Sequence, residues 1–398
     1  MTDMDRRVRR IDINFACCES TFWISFCALS GFVVVYLGHK GLTNTEIGLT
    51  TSLASGLAIG LQLILSSVMD AHPEFAIKKL ITVLFLVGIA AAGCVSFLPL
   101  PIAMMIGAYA LAYSMDSCNN AYLNAQLVQF NNVGIPAHYG WPRGMGSISY
   151  AVAAYVYGVL AEKYTPDILT LCFMGGTVVC IVCVLLMPNP YAGMDRQQLM
   201  TGRVRTSYRQ MLSGNAPLCF FLLAVLMNGI GNTASYTFIP RIVEALGGGT
   251  REYGLSEFIR AGMEMPALFA SGWLLKHFKT KGLLSTAFFF TAVKALVMVL
   301  APSIGYVYLA SCLNVLVVGL STFSSVLLVN SLVRDSEKVR GQSLAVLCGS
   351  VGSIIGSAYA GFMIDRVGLN AMMISSMCFC VAAAAILAFL CQPDRARG

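Results

Sequence analysis

Residues 168–187 read ILTLCFMGGTVVCIVCVLLM, twenty residues without a charged side chain. At about 1.5 Å per residue, a helix of that length spans about 30 Å, the thickness of a bilayer's hydrocarbon core. The run shows no period-two alternation. It therefore excludes a barrel strand, which crosses in about ten alternating residues. Working outward, the same kind of apolar stretch recurs along the chain. The predicted spans are 11–38, 45–69, 78–98, 101–125, 138–161, 167–187, 215–242, 252–275, 281–300, 304–332, 340–363 and 369–391. Composition points the same way. Of 398 residues, 57% are hydrophobic and 11% charged, against about 25% charged in a soluble protein. Mean hydropathy is +0.74. A soluble enzyme, a disordered chain and a secreted disulfide scaffold are all excluded. The first span is too long for a signal-peptide core, and further spans follow it directly.

Lys and Arg in the loops set the orientation. With the N-terminus inside, 18 of them fall on cytoplasmic segments, including Arg6, Arg7, Arg9 and Arg10, and only Lys40, Lys163, Arg251 and Arg366 fall outside. The positive-inside rule then places both termini in the cytoplasm. The expected location is the cell (plasma or inner) membrane. The net charge of +7 reads as topology and lipid contact, with no nucleic-acid partner. The one long polar stretch, 188–214, is expected to be a cytoplasmic linker between an N-terminal six-helix bundle (1–187) and a C-terminal one (215–398). An internal repeat supports the two halves. Glu46-Ile47-Gly48-Leu49 and Glu252-Tyr253-Gly254-Leu255 open spans two and eight at an offset of 206. Gly146-Ser147-Ile148 and Gly352-Ser353-Ile354 share that offset, and Gly158 with Glu162-Lys163 matches Gly361 with Asp365-Arg366 at 203. The expected architecture is all-α, with twelve transmembrane helices in two pseudo-symmetric bundles. Proteins built this way place a solute site near the midplane, between the repeats.

The 14 cysteines lie mostly inside apolar spans, where a thiol acts as a small hydrophobe. No spacing suits zinc, so neither a metal nor a cofactor is expected. There is no GxxxxGK[ST] loop for ATP, and neither HExxH nor GxSxG for hydrolysis.

Tyr139-Gly140-Trp141-Pro142-Arg143-Gly144-Met145-Gly146-Ser147, at the start of span five, resembles the YGxxRxxGS segment of the major facilitator superfamily. Three further segments resemble the same family. They are Glu264-Met265-Pro266 in span eight, Gly341-Gln342-Ser343 leading to Gly352-Ser353 and Gly361…Asp365-Arg366, and Gly41-Leu42 with Ile47-Gly48. The resemblance covers essentially the whole chain. Its nearest subgroup is the lactose permease-like and phenylpropionate permease-like proton symporters. The resemblance implies a monomeric secondary transporter that takes a small-molecule substrate with a proton. It also implies a substrate role for Arg143, for Glu264, and for Tyr150 as a ring on which a sugar stacks. Departures are visible. Span ten reads Gly319-Leu320-Ser321-Thr322-Phe323-Ser324-Ser325, without the subgroup's histidine and acid. Asn124 stands where relatives carry an acid in span four, and Lys294 where they carry an arginine.

Ionisable groups inside spans are expensive, about 2.5–3.5 kcal/mol each on insertion scales, and face partners or water-filled cavities. Glu264 and Lys294 both approach the midplane, where they would form either a structural pair or a substrate and proton site. Glu257, Arg260 and Glu264 are spaced i, i+3, i+7 and share one helix face; Glu257 with Arg260 also suits an outer gate. Arg143 would hold substrate or pair at an inner gate, for instance with Asp116. Asp116, Asn120 and Asn124 recur every four residues as a polar stripe. Glu19, with Trp23 one turn on, is a second proton-site candidate or an interfacial acid. Asn228, Asn232 and Ser235 line either a polar cavity or a helix contact.

The charges of this set nearly balance, which favours a neutral or zwitterionic solute such as a sugar or nucleoside. The alternatives are uptake of an aromatic or other carboxylate with Arg143 and Lys294 as counter-charges, a uniporter, an exporter, and a non-transporting receptor on the same fold.

Overall fold

The computed structural model describes residues 3–71, 76–190, 211–213, 215–334 and 337–391. No strand occurs among the described residues. The first half comprises α1 (Asp3–Phe26), α2 (Val33–His39), α3 (Asn44–Ala71), α4 (Ile77–Phe97), α5 (Ile102–Asn132), α6 (Gly140–Lys163) and α7 (Ile168–Leu186). The second comprises α8 (Ala216–Thr237), α9 (Ile239–Ala245), α10 (Thr250–Phe269), α11 (Ser271–His277), α12 (Thr280–Val299), α13 (Ile304–Cys312), α14 (Asn314–Leu332), α15 (Lys338–Arg366) and α16 (Leu369–Ala385). Each of the twelve expected spans corresponds to one helix or to two in series.

Among the described residues, nine helices are long and apolar enough to cross a membrane, and a tenth crossing is the pair Asp5–Gly31 and Val33–His39, bent by 48°. The other two expected spans are less apolar. Helix α5 carries Asp116, Asn119, Asn120 and Asn124, and α10 carries Arg251, Glu252, Glu257, Arg260 and Glu264. Helix α5 also runs seven residues past the expected end at 125, to Asn132.

The chain separates into two compact units, Met1–Leu42 with Leu53–Arg203, and Thr43–Ser52 with Val204–Gly398. The expected linker, 188–214, lies mostly outside the described residues.

The 206-residue offset of the sequence motifs reappears in the backbone. The first crossing breaks at Phe32 (φ −105°, ψ 19°), after a π-helical turn at Cys27–Gly31. The seventh breaks at Phe238 (φ −103°, ψ 19°), with Pro240 in the first turn of α9. Gly41 and Gly247 follow at φ +86° and +80°, a region that favours glycine. Both repeats then cap their next helix alike. The Glu46 carboxylate accepts from the Thr43 amide at 2.7 Å, and the Glu252 carboxylate from the Gly249 amide at 2.8 Å. This is the acidic arm of a capping box. The Glu-x-Gly-Leu repeat therefore marks a helix start.

In the first unit, α1 packs on α6 and α7, and α4 on α5 and α7, around Phe22, Phe85, Leu123 and Val184. In the second, α8 packs on α15 and α16, and α12 on α14 and α16, around Phe221, Leu284, Phe288 and Leu328. Close approach of α8 and α15 depends on glycine. A Cβ at Gly352 would lie 2.6 Å from the Leu226 carbonyl oxygen and 3.0 Å from the Gly229 Cα. Small residues at such contacts are what helix association in lipid requires. Leu63, Ile64, Val178 and Phe289 are each more than half exposed, as lipid-facing side chains are.

Within the second unit, the start of α3 is tied to the end of α15. Asp365 accepts from the Thr45 amide (2.6 Å), the Thr45 hydroxyl (2.7 Å) and the Asn44 side chain (2.8 Å). A carboxylate at a helix N-terminus satisfies amides that have no intrahelical partner.

Candidate functional site

Each unit holds a buried charged cluster among its described residues. In the first, α1 supplies Glu19 and Trp23, one turn apart, and α6 supplies Arg143, Gly146 and Tyr150. Glu19 is fully buried. Its Oε2 accepts from the Trp23 indole N–H at 2.9 Å and lies 3.7 Å from Arg143 Nε. The Arg143 guanidinium sits 4.5 Å from the centre of the Trp23 ring and donates to the Ser147 hydroxyl at 3.3 Å. Cation, ring and carboxylate thus support one another, as a guanidinium allows and an ammonium does less well. Tyr150 meets Trp23 edge-on, with ring centres 6.0 Å apart. Gly146 makes this possible. A Cβ there would collide with Trp23 Cδ1 and lie 3.0 Å from its Nε1.

Asp116, one possible gate partner for Arg143, does not pair with it: the guanidinium lies beside Glu19 instead. Asp116 is 1% exposed, and neither of its carboxylate oxygens has a hydrogen-bond partner among the described residues. The expected stripe on α5 also divides. Asp116 and Asn119 are buried, while Asn120 and Asn124 are half-buried and bonded to each other at 3.0 Å. The row drifts slowly about the helix, so Asp116 lies deeper in the unit than Asn120 and Asn124.

In the second unit, Arg260 is the centre. Its guanidinium donates to Glu257 (2.7–3.0 Å), to Glu264 (3.1 Å) and to the Tyr236 hydroxyl (3.2 Å). It also lies 4.7 Å from the Tyr236 ring centre. Tyr236, on α8, donates to Glu257 at 3.2 Å. Asn314, the first residue of α14, donates to Glu264 Oε1 at 2.8 Å. Glu264 Oε2 has no partner among the described residues, and the side chain is 22% exposed.

The expected Glu264–Lys294 pair is not formed. Arg260 lies one turn from both acids on their own helix and takes them together. Lys294, 6% exposed, reaches only the Asn314 side-chain oxygen among the described residues, at 3.5 Å. It borders a small cavity together with Asn232, Ser235, Tyr236 and Thr291. Asn228 lies outside that cavity, and its side-chain oxygen is buried without a partner.

Sequence reasoning named Glu19, Trp23, Arg143 and Tyr150, and the structure brings them together. It likewise brings together Glu257, Arg260 and Glu264, with Lys294 joined to Glu264 through Asn314. It missed Tyr236, Asn314 and Gly146. Tyr236 follows Asn228 and Asn232 at i+8 and i+4, so the polar face of α8 signalled it. Asn314 is a lone amide in an apolar run, which reads equally as helix contact.

The profile of the MFS_1 like family matches residues 20–375. No curated protein matches. Among solved structures, the chain is similar to a variant of the nucleoside transporter NupG, with TM-score 0.79 and 11% identity over 96% of this chain and 98% of that one. It is similar to NupG itself with TM-score 0.75 and 12% identity, over 97% and 98%. A bacterial homolog to the human lysosomal transporter Spinster, inward-facing and unoccupied, gives TM-score 0.69 and 12% identity over 97% of each chain. At these identities the likeness shows the fold.

Proposed function

Because the chain belongs to the MFS_1 like family, and is a multi-pass membrane transporter rather than an enzyme, we propose that it imports a small polar organic solute, a nucleoside or sugar, together with a proton. The observation that carries this reading is the state of Glu264. Arg260 and Asn314 hold one carboxylate oxygen, and the other is left to accept from a solute hydroxyl.

Two features agree. Trp23 and Tyr150 offer ring faces and edges beside a carboxylate and a guanidinium, the mixture of apolar surface and fixed polar groups that solute sites present. The charges are nearly even: Glu19 balances Arg143, and Glu257 with Glu264 balances Arg260 with Lys294. A neutral solute fits such a set better than an organic anion. That NupG is named a nucleoside transporter is consistent with this choice.

The proton would ride on Glu19, Asp116 or Glu264. Asp116 suits the role because a buried carboxylate with no partner is costly as an anion. Loop charge supports termini on the cytoplasmic side of the cell membrane. The halves proposed to rock about the site are 1–187 and 215–398, joined by 188–214, and the chain works as a monomer.

Counterflow in proteoliposomes tests the solute class. Vesicles loaded with unlabelled nucleoside or sugar should transiently concentrate the same labelled compound. Exchange confined to aromatic carboxylates would favour the alternative, in which Arg143 and Lys294 are counter-charges. Binding without exchange would indicate a receptor.

A further inference from the structure

Helices α15 and α16 each pack along α8, and on their lipid side the three leave an apolar groove. Met227 of α8 and Tyr359 of α15 line it, with Ala371, Ile374, Cys378 and Ala382 along one face of α16. Ile374, Cys378 and Ala382 are exposed, so the groove opens away from the unit. Its volume is about 680 Å³, within the range of about 300–1,000 Å³ that small-molecule sites occupy. Ala371 and Ala382 lie eleven residues apart, about 16 Å along a helix. That is about half of a hydrocarbon core about 30 Å thick, which is one leaflet. Ala371 is two residues from the start of α16 at Leu369, so the groove runs from the membrane surface to its middle. At the surface end stands a cation. Arg366, the last residue of α15, lies two turns from Tyr359 on the same helix face. It is exposed, and its guanidinium sits 5.8 Å from the centre of the Phe362 ring. Among the described residues it has no ion pair. The acid beside it in sequence, Asp365, is taken up by Asn44 and Thr45. Loop charge puts this end of α15 on the outer side.

We propose that this groove holds one acyl chain of an anionic phospholipid of the outer leaflet, with the lipid phosphate on Arg366. The acyl chain matches an apolar slot one leaflet deep. The unpaired guanidinium at its mouth offers a fork of donors that suits phosphate oxygens. A zwitterionic head group brings the same phosphate together with a cation of its own, and gains less at this end. The groove uses none of the residues of the Arg260 cluster, so the proposal goes beyond the transport reading and stands without it.

The test is lipid retention and thermal unfolding of the purified full-length protein in detergent. Native mass spectrometry of the natural sequence should show a retained phospholipid. After delipidation, phosphatidylglycerol should raise the unfolding midpoint saturably by about a few degrees, as binding to the native state does, and phosphatidylcholine should raise it less. Arg366→Gln should need about fivefold more phosphatidylglycerol, the weight of one cation at a membrane surface, and should lose the preference between the two head groups. Cys378→Trp fills the groove and should neither retain the lipid nor respond to it. Leu63→Trp, at another exposed apolar position, is the control and should behave as the natural sequence does. No phospholipid response in the natural sequence overturns the proposal, whether or not the variants fold. So does an equal response from Cys378→Trp, or an equal shift from the two lipids. A dimer that retains no lipid and falls apart in Cys378→Trp gives the groove to a second copy of the protein, and overturns it as well. None of these readouts depends on flux, so a failed transport assay leaves them interpretable.

Discussion

The Asn314 side-chain amide joins Glu264 to Lys294: its nitrogen donates to Glu264 Oε1 at 2.8 Å, and its oxygen accepts from Lys294 at 3.5 Å. It thereby aims the acid and keeps the lysine from closing on it. Asn314→Ala removes a hydrogen bond to a charged group, worth about 1.5–3 kcal/mol. The KM for solute should rise about 10- to 100-fold, with protein level in the membrane unchanged. An unaltered KM would separate Asn314 from the site.

Glu264→Gln keeps the shape and removes the charge. Labelled solute should no longer accumulate above its external concentration, while insertion and folding, followed by size-exclusion profile, persist. Normal accumulation would sink the assignment of Glu264 to the transport site.

Arg260→Gln strands Glu257, which is 1% exposed, beside a second acid. Breaking a buried pair from one side costs about 3–5 kcal/mol. The variant should lose several degrees of thermal stability in detergent, and adding Glu257→Gln should restore part of that loss. A double variant no better than the single would show that the two side chains are not coupled.

Gly146 leaves room for Trp23, so the pair predicts a spectroscopic change. Gly146→Leu must displace the indole from the Glu19 carboxylate. Tryptophan emission should shift and solute uptake fall at least about tenfold, as a misplaced site residue allows. Gly144→Leu, where a Cβ meets nothing within 4 Å, is the control and should leave emission unaltered.

At the junction of α2 and α7, Lys40 Nζ lies 2.8 Å from Asp167 Oδ1. Burial alone would raise the Asp167 carboxyl; the hydrogen bond and charge of Lys40, then His39, hold it below its ordinary value. A depressed acid stabilises above its unfolded-state value, and that contribution is lost as pH falls through the folded-state value. The thermal midpoint of Asp167→Asn should therefore trail that of the natural sequence slightly at neutral pH. The gap should close as pH falls below about 4. A gap that widens on acidification would reverse the sign and contradict this pairing.

Particular residues show how much of this was legible. The charge-free run at 168–187 gave the helix length directly, and the 206-residue offset of Glu46 and Glu252 gave the repeat. The same offset makes Phe32 and Phe238 equivalent helix breaks in the two repeats, but nothing in a phenylalanine side chain announces its φ and ψ. Depth along a helix located Glu264 and Lys294 near one level. It could not choose between partners, because Arg260 competes from the same helix at shorter range and with a forked donor. The α5 stripe keeps off the lipid face, but its members differ in burial. Spacing of four residues drifts about a helix, and burial selects Asn119 over Asn120. Glycine at 146 was read as part of a family motif, and its role in seating Trp23 needed the partner helix.

The most direct measurement is lumenal pH in proteoliposomes carrying a pH dye, challenged with a panel of nucleosides, sugars and aromatic acids. Proton-coupled import predicts acidification on adding one nucleoside or sugar class, abolished in Glu264→Gln. Flux of that class with no pH change would contradict proton coupling. Acidification driven only by aromatic acids would contradict the proposed solute.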